Sequence, residues 1–129
     1  MVSSKLLMSF LLNEMPEFQC EWEMHQSDWN GEIAGLCNDM TAFANFTEKQ
    51  IKIENVKVLT RIFTLIEALM VQGEQEVKDI VATCFLENLL NDVSAKRIPA
   101  NGFLSYLGPK STDYCRAWDD FTGVITEGL

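Results

Sequence analysis

Residues 55–92, NVKVLTRIFTLIEALMVQGEQEVKDIVATCFLENLLND, carry the clearest structural pattern in the chain. Apolar residues recur there at spacings of three and four on both sides of Gly73, which is typical of α-helices that bury one face. Because almost nothing separates the two stripes, the pattern predicts a central antiparallel helical hairpin, with Gly73 as a left-handed residue ending the first helix. The first stripe comprises Val56, Leu59, Ile62, Phe63, Ile66, Leu69 and Met70, and the second comprises Val77, Ile80, Val81, Cys84, Phe85 and Leu89.

The helical period continues outward from this hairpin. Residues 51–56 are predicted to be a connection, since a lone strand would have no partner in this chain. The sequence therefore predicts an all-α, single-domain helical bundle of about five to six helices. The other helical patterns cover about residues 4–15, 16–28, 32–49 and 101–107, with a last helix opened by Ser111 and Asp113 and closed at Gly123.

The length of the chain limits its organisation. A chain of 129 residues holds one comfortable core, and no linker or repeat divides it, so residues 1–129 are predicted to form a single helical domain. Residues 124–129 are predicted to be a frayed tail. No apolar run approaches the roughly 18 to 20 residues that span a bilayer, and the start of the chain offers no signal-peptide cleavage site. We therefore expect a cytoplasmic protein.

Four cysteines, Cys20, Cys37, Cys84 and Cys115, are spread irregularly along the chain. No pair has the C-x-x-C spacing of a zinc or redox site. In a reducing cytoplasm, cysteines with this distribution behave as small apolar side chains. We therefore expect four structural thiols.

The charge of the chain is strongly negative and unevenly spread. The net charge is −9, of which residues 1–50 carry −6 (eight acids, two bases) and residues 51–129 carry −3 (eleven acids, eight bases). Such a field repels nucleic acid and anionic membranes, so neither is an expected partner, whereas a basic protein would be attracted. The alternative is a solvated surface that only maintains solubility.

Catalytic and metal-binding patterns are missing from the sequence. His25 is the only histidine, and Glu17, Glu21 and His25 do not supply the ligands that a di-iron site requires. No pair of carboxylates is singled out for hydrolysis, and the segment Gly108–Ser111 lacks the glycine spacing of a phosphate loop. We therefore expect His25 to be structural, the protein not to be an enzyme, and no cofactor or metal to be needed.

An aromatic helix face lies beside acidic residues in the first third of the chain. Phe18, Trp22 and Trp29 share one face, and an apolar anchor with an acidic rim is typical of a protein interface. The alternative is that these aromatic side chains are buried in the bundle. The partner-binding candidates are Glu14, Glu17, Glu21, Glu23 and Asp28, together with Asp119 and Asp120, which stand at a helix C-terminus where the helix dipole disfavours acids.

Four segments resemble a family of small all-helical bacterial proteins. They are LLNEMPEF at 11–18, MTAFANF at 40–46, CFLENL at 84–89 and LGPKS at 107–111. Members of that family look like immunity proteins of polymorphic-toxin or contact-dependent growth-inhibition systems. The resemblance implies a cytoplasmic inhibitor that occludes a toxin, often a basic nuclease, and the acidity of this chain suits that role. The alternative is an acidic adaptor or regulatory protein that binds another cytoplasmic protein.

Overall fold

The computed structural model describes all residues, 1–129, and contains helices but no strand. The prediction of an all-α fold is confirmed, although the structure has seven α-helices rather than five to six. No helix combines the length and apolar character needed to cross a membrane. The helices are α1 (Leu7–Glu14), α2 (Gln19–Asp28), α3 (Leu36–Lys52), α4 (Val56–Gln72), α5 (Gln75–Val81), α6 (Glu87–Ser94) and α7 (Pro109–Thr122), with 3-10 turns at Ser4–Leu6, Pro16–Phe18, Ala100–Gly102 and Leu104–Tyr106.

The segment after Gly73 differs from the continuous helix that the sequence predicts. A π-helical segment, Ala82–Leu86, separates α5 from α6. The predicted hairpin of two unbroken helices is therefore not found in that form. The apolar stripe could not reveal the π segment, because Val77, Val81, Phe85 and Leu89 recur every four residues, a spacing that an unbroken α-helix also shows.

Gly73 is needed for space rather than for a left-handed conformation. Its φ of −70° and ψ of 157° are extended, so the prediction of a left-handed residue was wrong. A Cβ atom at this position would lie 2.6 Å from the carbonyl oxygen of Leu69 and 2.8 Å from Cγ1 of Val77. Glycine therefore permits the close approach of α4 and α5, whereas the left-handed helix end occurs at Gly123, where φ is 79°.

Five fully buried phenylalanines link the separate elements into one core. Adjacent rings lie 5.0 to 6.0 Å apart between centroids, which is the usual range for aromatic pairs. The row runs from the turn before α2 through α3, the π segment and α4 to the loop before α7. Its members, in spatial order, are Phe18, Phe43, Phe85, Phe63 and Phe103.

The tail at residues 124–129, which the sequence predicts to be frayed, contacts the domain at Thr126 and Leu129, whereas Ile125 is 93% exposed. Thr126 is buried and donates both its backbone N–H (2.7 Å) and its hydroxyl (2.8 Å) to the carboxylate of Asp119. Leu129 packs against the core. Sequence periodicity could not predict this contact, because it joins a side chain of α7 to a non-helical segment seven residues later.

Cys37 and Cys84 form a disulfide, so the prediction of four free thiols is wrong for this pair. Cys37 lies in the first turn of α3 and Cys84 in the π segment, with their Cα atoms 5.3 Å apart. The two residues are 47 positions apart, and only the packing of α3 on the π segment brings them together. Cys20, which is exposed, and Cys115, which is buried, are free thiols.

Candidate functional site

The aromatic face of α2 is largely used to pack the helix on α3. The ring of Phe18 is fully buried and lies 5.0 Å from that of Phe43 and 5.5 Å from that of Phe46. Trp22 is half-buried, and its ring lies 6.1 Å from that of Phe18. Burial within the bundle, one of the two alternatives for these residues, is therefore the outcome for Phe18, which cannot anchor a partner.

His25 joins α2 to α3 through a carboxylate. Its Nε2 lies 2.8 Å from Oδ1 of Asp39, and both side chains are mostly buried. The imidazole also lies between two indoles, with ring centroids 5.6 Å from Trp22 and 6.5 Å from Trp29. This arrangement positions the end of α2 and the side chain of Trp29 relative to α3.

Two of the predicted partner-binding acids are held in ion pairs within the chain. Glu17 contacts Arg61 of α4 at 2.5 Å between Oε2 and Nη1, and this hydrogen bond is the main reason that the pKa of Glu17 is lowered. Glu21 contacts Lys49 of α3 at 2.8 Å between Oε1 and Nζ. Reversing either acid would disturb the contacts of α2 or of the turn before it, as well as any contact with a partner.

The carboxylates of the remaining predicted acids in this region lie in no ion pair, although Arg61 donates to the backbone carbonyl of Glu14 at 3.0 Å. Glu14, Glu23 and Asp28 are exposed, and none forms an ion pair. Glu23 accepts only a hydrogen bond from the side-chain amide of Gln19, at 3.1 Å. Of the five predicted acids in this region, these three therefore keep carboxylates whose charge no ion pair compensates.

The C-terminal end of α2 and the loop after it expose apolar side chains. Met24, Trp29 and Ile33 are 61%, 37% and 95% exposed, and the carboxylates of Asp28 and Glu32 are exposed among them. We call these five residues the Trp29 surface. Sequence reasoning missed Met24, Glu32 and Ile33, although the turn at Asn30–Gly31 signalled that the helical face ends there.

The backbone around the Trp29 surface adopts left-handed conformations that set the path of the loop. The φ angles are 51° at Asn30, 79° at Gly31 and 93° at Gly35. Two glycines relieve most of this strain, since they alone adopt positive φ freely. Ile33 is presented outward between these residues.

A polar groove between α2 and α3 borders the Trp29 surface. Its α2 wall includes Glu21, Asp28 and Trp29. Its α3 wall carries Asn45, Glu48, Lys49 and Lys52, so the groove itself mixes both signs of charge. One carboxylate oxygen of Glu48 is buried without a hydrogen-bond partner.

The two C-terminal acids are separated by the fold. Both carboxylate oxygens of Asp119 accept hydrogen bonds from Thr126, whereas Asp120 is exposed. Phe121 and Ile125 are also exposed here, at 90% and 93%. Asp119 therefore has a structural contact, and only Asp120 has a carboxylate free of the tail.

The LGPKS segment begins α7, whose N-terminus is capped by a carboxylate from α4. Glu67 accepts the N–H groups of Lys110 (2.9 Å) and Ser111 (3.0 Å) and the hydroxyl of Ser111 (2.9 Å). Burial alone would raise the pKa of Glu67, but these bonds and the charge of Lys110 outweigh it, and the pKa is lowered. A Cβ at Gly108 would lie 2.4 Å from Cδ of Glu67, so glycine leaves room for the cap.

No group of three or more His, Cys, Asp or Glu side chains converges as a metal site would require.

A family model described as "Domain of unknown function (DUF7674)" matches residues 8–123, and the chain belongs to this family. No curated protein and no solved structure is significantly similar to the chain.

Proposed function

We propose that this member of the DUF7674 family is an immunity protein, which binds a basic toxin domain and blocks it by occlusion without turnover. The observation that supports the proposal is the combination of exposed apolar side chains and uncompensated acids at the end of α2. Between Lys5 and Lys49 the chain has eight acids and no lysine or arginine. Within this stretch, the Trp29 surface exposes Met24, Trp29 and Ile33 beside two carboxylates that form no ion pair.

The two kinds of side chain would serve different steps of binding. Unpaired carboxylates attract a basic domain over a distance set by ionic strength and raise its association rate. Apolar side chains that become buried at the centre of an interface slow dissociation instead. A nuclease toxin must be basic where it binds nucleic acid, so an acidic protein seated there would exclude the substrate.

The proposal names a partner that can be produced and tested. The proposed partner is a basic domain of a large exported toxin encoded next to the gene of this protein. We expect a 1:1 complex, loss of toxin activity at one equivalent of the purified chain, and growth of cells that express both proteins. A stable complex with another cytoplasmic protein, without protection from any neighbouring toxin, would instead favour an adaptor or regulatory protein.

Two isoleucines provide a matched test of the surface. Ile33 and Ile125 are 95% and 93% exposed, so replacing either by alanine should leave the fold unchanged. We expect Ile33→Ala to weaken toxin binding about tenfold, as for a moderate interface anchor, and Ile125→Ala to have no effect. The reverse result, with Ile125 critical and Ile33 silent, would move the interface to the C-terminal end of α7.

A further inference from the structure

We infer that the Cys37–Cys84 disulfide is a redox-controlled tether of the Trp29 surface, which a dithiol reductant releases by thiol–disulfide exchange. Cys37 is the second residue of α3, four residues after Ile33. The loop that carries Trp29, Glu32 and Ile33 therefore runs directly into the tethered turn. The link to binding rests on the proposed function, whereas the tether itself is a property of the fold.

The first turn of α3 has no side-chain cap, and besides the disulfide it is held by a bond from the side-chain amide of Asn38 to the carbonyl of Ala34 (2.8 Å) and by the packing of Leu36 on the core. Its N-cap is Gly35, which has no side chain to accept a hydrogen bond from the first backbone N–H groups. The first backbone bond of the helix runs from the N–H of Asp39 to the carbonyl of Gly35, at 3.0 Å. The covalent bond at Cys37 fixes this uncapped end, and the contact between Asp39 and His25 fixes the opposite side of the same turn.

Contacts deeper in the interface do not depend on the disulfide. The side-chain amide of Asn88 donates to the carbonyl of Cys84 at 2.6 Å and lies 3.2 Å from the hydroxyl of Thr41. Phe43 and Phe85 then pack at 5.6 Å between ring centroids. Reduction should therefore loosen residues 29–38 while α3 beyond Thr41 stays packed on the π segment.

The two cysteines differ in exposure, and this difference decides which sulfur atom the reductant attacks. Cys37 is exposed and Cys84 is buried, so a thiolate of the reductant attacks Sγ of Cys37. The Cys37–Cys84 bond breaks, and Cys84 leaves as a thiolate and takes up a proton. The second thiol of the reductant then displaces Cys37 from the mixed disulfide. The dithiol is oxidised to its own disulfide, and the two cysteines gain the two electrons and two protons.

Amide hydrogen exchange of the whole chain, with and without dithiothreitol, tests the tether without any partner. We expect exchange of the hydrogen-bonded amides of Trp29, Asn30, Glu32 and Asp39 to become at least about tenfold faster on reduction, because local opening sets the exchange of weakly held turns. Residues 56–72 of α4 should be unchanged, and Cys20→Ser should behave like the wild-type chain. A Cys37→Ser variant should show the exchange pattern of the reduced chain without any reductant. Reduction of the wild-type chain makes the same comparison without depending on the folding of a variant.

The outcomes separate the tether from the proposed function. Identical exchange in both redox forms, or an air-oxidised protein in which Cys37 and Cys84 stay free, overturns the inference whatever the protein binds. If reduction changes the exchange but a toxin domain binds the oxidised and reduced chains equally, the disulfide does not control binding at the Trp29 surface, and that part of the inference is wrong. If the exchange changes but no toxin domain binds the oxidised chain, the proposed function fails and the tether stands.

Discussion

The carboxylate of Glu67 allows a double-mutant cycle that tests how α7 is held on α4. Glu67→Ala removes three hydrogen bonds to a charged acceptor, of which the N–H and hydroxyl of Ser111 belong to a buried residue. Loss of a helix cap costs about 0.5–2 kcal/mol, and hydrogen bonds to charged groups are worth more than neutral ones. Lys110 is exposed, so water can replace part of the hydrogen bonding that the N-terminus of α7 loses. We therefore expect Glu67→Ala to lower the free energy of unfolding by about 2 kcal/mol.

Gly108→Ala should have the same effect by a different route. Its Cβ would lie 2.4 to 2.5 Å from three atoms of the Glu67 side chain, so the carboxylate must move and its bonds to α7 are lost. In the Glu67→Ala background the obstacle is gone, and Gly108→Ala should cost almost nothing. The double variant should therefore lose about 2 kcal/mol rather than about 4, a coupling of about 2 kcal/mol.

Urea denaturation of the four proteins at neutral pH measures this cycle. The pKa of Glu67 is lowered in the folded state, so its stabilising effect is present above the unfolded value of about 4.5 and is lost as pH falls through the folded pKa. The stability difference between the wild-type chain and Glu67→Gln should therefore shrink below pH 4.5. Additive costs in the cycle, or a difference that does not change with pH, would refute the role given to this carboxylate.

Three further predictions concern the cysteines and Tyr114. In the native chain one thiol, Cys20, should react with an aromatic disulfide reagent. Denaturation should add Cys115, whose pKa burial raises to about 12, and reduction should add Cys37 and Cys84; four reactive thiols in the native chain would contradict this order. Replacing both Cys37 and Cys84 with serine should lower the free energy of unfolding by up to about 4 kcal/mol, the chain-entropy value for a loop of 47 residues, as measured by thermal or urea denaturation. Burial and the bond to Glu87 raise the pKa of Tyr114 to about 12, so its contribution to stability should persist below pH 10 and be lost as pH rises through 12; ultraviolet titration showing Tyr114 ionised by pH 10 would contradict this.

The regular part of the fold could be predicted from the sequence because it depends on local spacing. The apolar stripe from Val56 to Met70 predicts the bounds of α4 closely, because apolar residues one helical turn apart lie on the same buried face. The break between α5 and α6 gave no such signal. Val77, Val81, Phe85 and Leu89 are buried at intervals of four residues across the π segment, as they would be in an unbroken α-helix.

The candidate site was only partly predictable, for the same physical reason. The acidity of the first fifty residues was evident, but which carboxylates are paired depends on contacts across the fold. Glu17 meets Arg61 from 44 residues away, and Glu21 meets Lys49 from 28 residues away. The disulfide between Cys37 and Cys84 and the docked tail at Thr126 likewise depend on contacts that no sequence spacing reveals.

The salt-dependent association rate of the toxin domain with charge-reversed variants tests the central claim most directly. Reversal of Glu23, Asp28 and Glu32 to lysine changes three exposed acids without breaking an ion pair, and reversal of Glu74, Glu76 and Asp79 makes the same charge change at α5. We expect the first variant to associate at least about tenfold more slowly at low salt, a difference that disappears as salt screens the charges. We expect the α5 variant to remain near the wild-type rate. Equal slowing by both variants would mean that only net charge matters, and no slowing by either would contradict a binding surface at the end of α2.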